Sequence, residues 1–281
     1  MPPLKTLLVP AEPHDVMPSV LETALLVQSR FGSDIESFAL RPAIPDYVPI
    51  DMVSGLAWHV DEKADEEGRR ASHALFEAFM RERGFPLLEP GVDRPGWSWH
   101  PNAPAGDAFL ASHGRAFDLV VLGRPLSGKA QPSMASVEAV LFETGRPLLI
   151  APPTPPTSLG NTIVIAWNGS TETARTVAFA MPFMRLATRV VVLAIEGWAV
   201  PGPSAERLVQ SLRRNEVAAE IYNAPSGRWN SGETILAVTG ELGGDLLIKG
   251  AYTQSRLRQM IFGGATAHVL AAANVPVLMA N

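Results

Sequence analysis

Between Lys249 and Leu270 the chain reads KGAYTQSRLRQMIFGGATAHVL. Gly250 opens the stretch directly after a short apolar run, Asp245-Leu-Leu-Ile248. Gly263 and Gly264 close it just before a segment of helical character. Residues of these types, so spaced, suit anion binding. Free backbone N–H groups and the dipole at a helix start attract phosphate, and glycine lets a ligand lie close to the main chain. Lys249, Arg256 and Arg258 would give such an anion cationic company. The same residues also fit a plainer role. Gly263-Gly264 can simply make a tight turn, with the arginines forming an exposed face or a subunit contact, and glycine motifs produce many false matches.

Other chemistry finds little support. The chain has no cysteine, which excludes disulfides, thiolate catalysis and cysteine–zinc sites, and makes a reducing compartment the simplest home. Its histidines (His14, His59, His73, His100, His113, His268) fall into no metal-ligand spacing. His268 reads as a surface or capping residue. No G-x-S-x-G nucleophile elbow occurs. The acidic run Asp61-Glu-Lys-Ala-Asp-Glu-Glu67 reads as the solvated first turn of a helix, with Arg69 and Arg70 as partners at helical spacing. Nothing supplies a general base beside the glycine loop, so no true catalysis is expected, and any hydrolysis of a bound phosphoanhydride should be slow. The formal net charge of -5 argues against a nucleic-acid partner. No apolar run approaches a membrane span, and the one in MPPLKTLLVP is too short for a signal peptide. A cytoplasmic protein is expected.

The elements that must position the loop alternate. In the second half, strands are expected at Thr162–Ala166, Arg189–Ile195, Ala218–Tyr222, Leu246–Lys249 and Val275–Met279. Helices are expected at Thr171–Leu186, Ser204–Asn215, Ser231–Leu242 and Ala265–Ala273, with Ser170 or Thr171 as the first N-cap. Continuous apolar strands between helices imply a parallel sheet covered on both faces, with ligands at the carboxyl ends of the strands where the order reverses.

The chain also repeats itself. Lys5–Ala11 resembles Asn161–Trp167, Phe117–Gly123 resembles Gly244–Gly250, and Arg146–Ala151 resembles Val275–Ala280. Two tandem domains follow, 1–151 and 161–281, joined by the proline-rich linker 152–160. The first half adds a proline-rich, aromatic insertion at 41–60 and then a charged amphipathic helix over Asp61–Arg83. The insertion reads as a lid on its own domain or as an apolar pocket or partner surface. The halves differ in charge, with 13 Lys+Arg and 20 Asp+Glu in the first and 10 and 8 in the second.

With Ile165-Ala-Trp-Asn-Gly-Ser170, the loop above and Val275-Pro-Val-Leu-Met279 in view, the sequence resembles a tandem universal stress protein over nearly its whole length. The segment Trp167–Pro182 is similar to the first strand-to-helix turn of the family's tandem bacterial members. The resemblance implies an α/β fold of two tandem Rossmann-like domains, each a five-stranded parallel sheet of order 3-2-1-4-5, paired through their last strands. Some members of the family bind ATP, with magnesium, or AMP, through G-x2-G-x9-G-[ST] and an aspartate at the end of strand one. Carried onto this chain, Gly250 and Gly263 match. Thr253 replaces the second glycine, Gly264 the Ser/Thr, and Asn168 the aspartate. Thr253 is the costliest change if its position needs positive φ. The candidate nucleotide contacts are thus Ala166, Trp167, Asn168, Ile195, Lys249, Gly250, Thr253, Gly263, Gly264 and Ala265. In the first half Gly123 remains, but Leu126, Ser136 and Glu12-Pro13-His14 occupy the other positions, so no nucleotide is expected there. Two functions stand side by side: a stress-response regulator binding an adenine nucleotide, and a stress-linked scaffold or binder of another small or apolar molecule. The halves would form a pseudo-dimer within the chain, with a homodimer of such units also open.

Overall fold

The computed structural model describes residues 4–42, 62–129, 131–225, 230–251 and 264–281. The first half runs β1 (Thr6–Leu8), α1 (Met17–Phe31), β2 (Asp34–Ser37), α2 (Glu62–Glu82), β3 (Trp97–Trp99), α3 (Asp107–His113), β4 (Leu119–Gly123), α4 (Met134–Glu143) and β5 (Leu148–Ala151). The second half runs β6 (Thr162–Ala166), α5 (Thr171–Leu186), β7 (Arg189–Ile195), α6 (Ala205–Arg214), β8 (Ala219–Ala224), α7 (Ser231–Glu241), β9 (Leu246–Gly250), α8 (Gly264–Ala272) and β10 (Val277–Ala280). The insertion expected at 41–60 lies, from residue 43 onward, outside the described residues. The charged helix after it is α2, where Arg69 and Arg70 both pair with Glu66 as the spacing predicts.

The strands form one ten-stranded sheet of order β3-β2-β1-β4-β5-β10-β9-β6-β7-β8. Each half contributes the order 3-2-1-4-5, all parallel. The last strands of the halves meet antiparallel, with Leu149 opposite Leu278. The architecture is therefore the tandem Rossmann-like α/β fold expected from the sequence.

Alternation along each strand explains why the runs are apolar throughout. Leu7, Val121, Ile163, Ile165 and Ile248 face one core with α1, α2, α5 and α6. Leu8, Val120, Val164, Ala166 and Leu247 face the other with α3, α4, α7 and α8. A strand covered on both sides has no solvated face on which to place polar residues. Helix starts in the second half are set by side-chain caps. Ser170, Ser204 and Asn230 each accept the N–H three residues on, an arrangement worth about 1 kcal/mol per cap.

Candidate functional site

In each half the sheet opens at its carboxyl edge between strands one and four. Trp167 N donates to Leu193 O on the β7 side, while Ala251 N donates to Ala280 O on the β10 side. The hydrogen bonds of β6 and β9 thus diverge, which leaves a crevice at the reversal of strand order.

Asn168 stands at the exit of β6 and is only 5% exposed. Its Oδ1 accepts from Ser170 N at 3.2 Å and from Thr173 Oγ1 at 2.8 Å. The carbonyl end of the amide is therefore engaged by the first turn of α5. Its Nδ2 makes no hydrogen bond among the described residues and keeps its donors for another group. Gly169 adopts φ +82, the left-handed region that glycine enters without strain. Ser170 was named from the sequence as a cap. Thr173 was not, although the Ser-x-x-Thr spacing at a helix start was a usable signal.

Gly250 closes β9 against this turn. A Cβ built on it would lie 2.4 Å from Thr173 N and 2.7 Å from Thr173 Oγ1. The glycine is thus required for close approach of β9 to α5, a packing role the sequence reading did not assign. Lys249, one residue earlier, points to the opposite face. It is 3% exposed, and its Nζ donates to Gly250 O at 2.9 Å and Thr266 Oγ1 at 2.7 Å. No carboxylate pairs with it among the described residues. Burial lowers its pKa to about 7, because desolvation disfavours the charged ammonium. Thr266, also missed in the sequence, ties this lysine to the first turn of α8. Gly264 begins α8 with open space around it, and Ala265 follows half-buried. Neither has a side chain able to cap the helix.

The structure thus places Asn168 and Gly250 against the first turn of α5, and Lys249, through Thr266, against the first turn of α8, where Gly264 and Ala265 lie. Ala166 and Ile195 lie in the core beneath, on the α7/α8 face. Trp167 departs from the expected frame. It packs in the opposite core, and its Nε1 donates to Pro203 O at 2.9 Å. Thr253 and Gly263 fall outside the described residues, as do Arg256 and Arg258. The segment before α6 also covers the turn: Val200 N donates to Asn168 O at 2.9 Å, and Gly202 packs on Gly169 O. Among the described residues no group of three or more acidic or histidine side chains could hold a metal ion, and no helix is long and apolar enough to cross a membrane.

The first-half crevice carries different residues. Glu12 occupies the position of Asn168, and Arg124 follows Gly123 at the exit of β4. Glu12 is 7% and Arg124 9% exposed. His14 Nε2 lies 3.6 Å from Glu12 Oε1. Burial, reinforced by the charge of Asp107, raises Glu12 to about 7, and burial lowers His14 to about 4. Ser136 Oγ donates to Asp107 Oδ1 at 2.6 Å.

No protein-family model matches the sequence, and no curated protein matches it. Solved structures do match its fold. A universal stress protein from Archaeoglobus fulgidus superposes with TM-score 0.73 at 15% identity, covering 98% of this chain and 96% of that one. A Pseudomonas aeruginosa protein provisionally described as a universal stress protein gives 0.54 at 14% identity, over 99% and 93%. A protein of unknown function from Pseudomonas aeruginosa PAO1 gives 0.55 at 12%, over 99% and 92%. The chain therefore has the universal-stress-protein fold.

Proposed function

We propose that the protein is a stress-response regulator of the universal stress protein type, binding an adenine nucleotide in its second half. The reading rests above all on the start of α8. Gly264 and Ala265 offer backbone N–H groups with no side-chain cap among the described residues, and the acid-free first turn is tied to the buried Lys249. Such a helix start favours an anion. Nδ2 of Asn168 is the group available to a base or ribose acceptor. Catalysis is no part of this proposal. Magnesium would accompany ATP and be carried by its phosphates.

A second reading, a scaffold or a binder of another small molecule, draws on the cover that residues 198–203 place over the β6–α5 turn. It draws also on Thr253 in place of glycine.

Thermal unfolding with increasing ATP, ADP or AMP decides between them, because a ligand of the folded state raises stability as RT ln(1 + [L]/Kd). The discriminating variant is Gly264→Asp. A side chain there meets nothing within 4 Å, and a carboxylate suits a helix start, but it repels phosphate. A nucleotide shift in the wild type that Gly264→Asp abolishes supports the first reading. No shift at millimolar nucleotide, or the same shift in the variant, overturns it.

A further inference from the structure

The crevice of the first half carries two buried charged groups, Glu12 and Arg124, at its strand exits. Along β1 and β4, Leu7 pairs with Leu119 and Leu8 with Val120. Continued at that register, Glu12 comes level with Arg124, on the face that carries Leu8 and Val120. The strands part before this point. Ala11 N donates to Phe38 O on the β2 side, and Arg124 N to Ala151 O on the β5 side.

At both helix starts of this edge, local groups take up N–H donors that an anion would use. Val16 N donates to His14 Nδ1 and Met17 N to His14 O, while Pro18 has no N–H. Ala135 N and Ser136 N donate to Ser133 Oγ. What remains is Arg124. Its guanidinium makes no ion pair or hydrogen bond among the described residues, and its Nε is buried without a partner. A buried cation without a counter-charge is costly, and arginine does not escape the cost by losing its proton. Asp107 stands at the same edge as a charged acceptor, and the second charge of a phosphate dianion would meet its repulsion.

We propose that this crevice binds a small organic monocarboxylate, its carboxylate paired with the Arg124 guanidinium and its oxygens beside the Glu12 carboxyl. The planar fork of arginine matches a carboxylate. The groups that govern pH dependence are Glu12, His14, Asp107 and Arg124. With Glu12 at about 7, its carboxyl is protonated and donates below that pH. Above it the group ionises and repels the ligand.

The test uses the full chain, with acetate, lactate and inorganic phosphate as probes at constant ionic strength, read by thermal unfolding below and above pH 7. Acetate and lactate should raise the midpoint saturably, more strongly at the lower pH, and phosphate no more than chloride. Arg124→Gln should weaken carboxylate affinity about tenfold or more, and Arg124→Lys should retain part of it. Glu12→Gln should keep binding and remove its loss above pH 7. Without ligand, Arg124→Gln should be as stable as the wild type or more so. The proposal fails if no saturable carboxylate shift occurs, if it survives unchanged in Arg124→Gln, if phosphate is preferred, or if Arg124→Gln alone unfolds the chain. Gly264→Asp, in the other half, should leave the carboxylate response intact.

Discussion

Glu12 and His14 show how two neighbours can hide each other's titration. Glu12 rises from 4.5 to about 7 on folding, so between these values the folded state holds a proton that the unfolded state lacks. Stability contributed by this group is present below the lower value and is lost as pH rises through the upper one. His14 falls from 6.5 to about 4, so between those values the unfolded state holds the extra proton, and stability rises with pH. Across the overlap, from 4.5 to 6.5, the two slopes oppose and cancel. Unfolding free energies of Glu12→Gln, taken relative to wild type, should therefore climb over this window. Those of His14→Asn, which keeps an acceptor for Val16 N, should descend. Parallel curves for both variants would show that the pair is not buried in these charge states.

At the scale of elements, the approach of β9 to α5 rests on Gly250. An alanine Cβ would lie 2.4 Å from backbone and 2.7 Å from side-chain atoms of Thr173. Gly250→Ala should cost about 1–3 kcal/mol in chemical denaturation, the usual penalty for overpacking. Gly264→Ala, with nothing near its Cβ, should cost little. Equal, small effects at both would mean that the β9–α5 contact relaxes freely. The elements of the second half were legible from apolar spacing and capping residues. The expected helix Thr171–Leu186 is α5, and the expected strand Arg189–Ile195 is β7. The short β3 was harder to read. Three residues between Pro95-Gly96 and His100 carry no period of their own. Trp97 and Trp99 become a strand by pairing with β2 and packing on Phe76, edge-on and tilted, at ring-centroid distances of 5.6 and 5.8 Å.

At the scale of the molecule, the sheet is continuous through β5 and β10, and a second device joins the halves. Arg30, at the end of α1, donates from Nη1 to Leu159 O at 2.7 Å and Asn161 Oδ1 at 3.2 Å. From Nη2 it donates to Gly160 O at 2.9 Å and Leu186 O at 2.7 Å. Beside it Phe31 meets Phe183 edge-on at 4.9 Å. One guanidinium thus holds the end of the linker and the end of α5. Arg30→Gln should lower stability by about 2 kcal/mol and speed proteolytic cleavage within 152–160. Unchanged cleavage would show that the β5–β10 seam alone fixes the linker.

The sequence by itself determined the repeat, the alternation of strand and helix, the apolar runs that demand a two-sided sheet, and the glycines at strand exits. These follow from local spacing and backbone chemistry, which any stretch carries with it. Only the tertiary structure decided what those residues meet. It put Gly250 against Thr173, turned Trp167 to the far core, and, among the described residues, buried Lys249 without a carboxylate and left Arg124 without a counter-charge. It also changed the meaning of Glu12, which in the sequence is a charge that repels phosphate and in the fold is a carboxyl that holds its proton to about pH 7. The reason is physical: charge state and hydrogen-bond need depend on desolvation, and desolvation is set by neighbours distant in the chain.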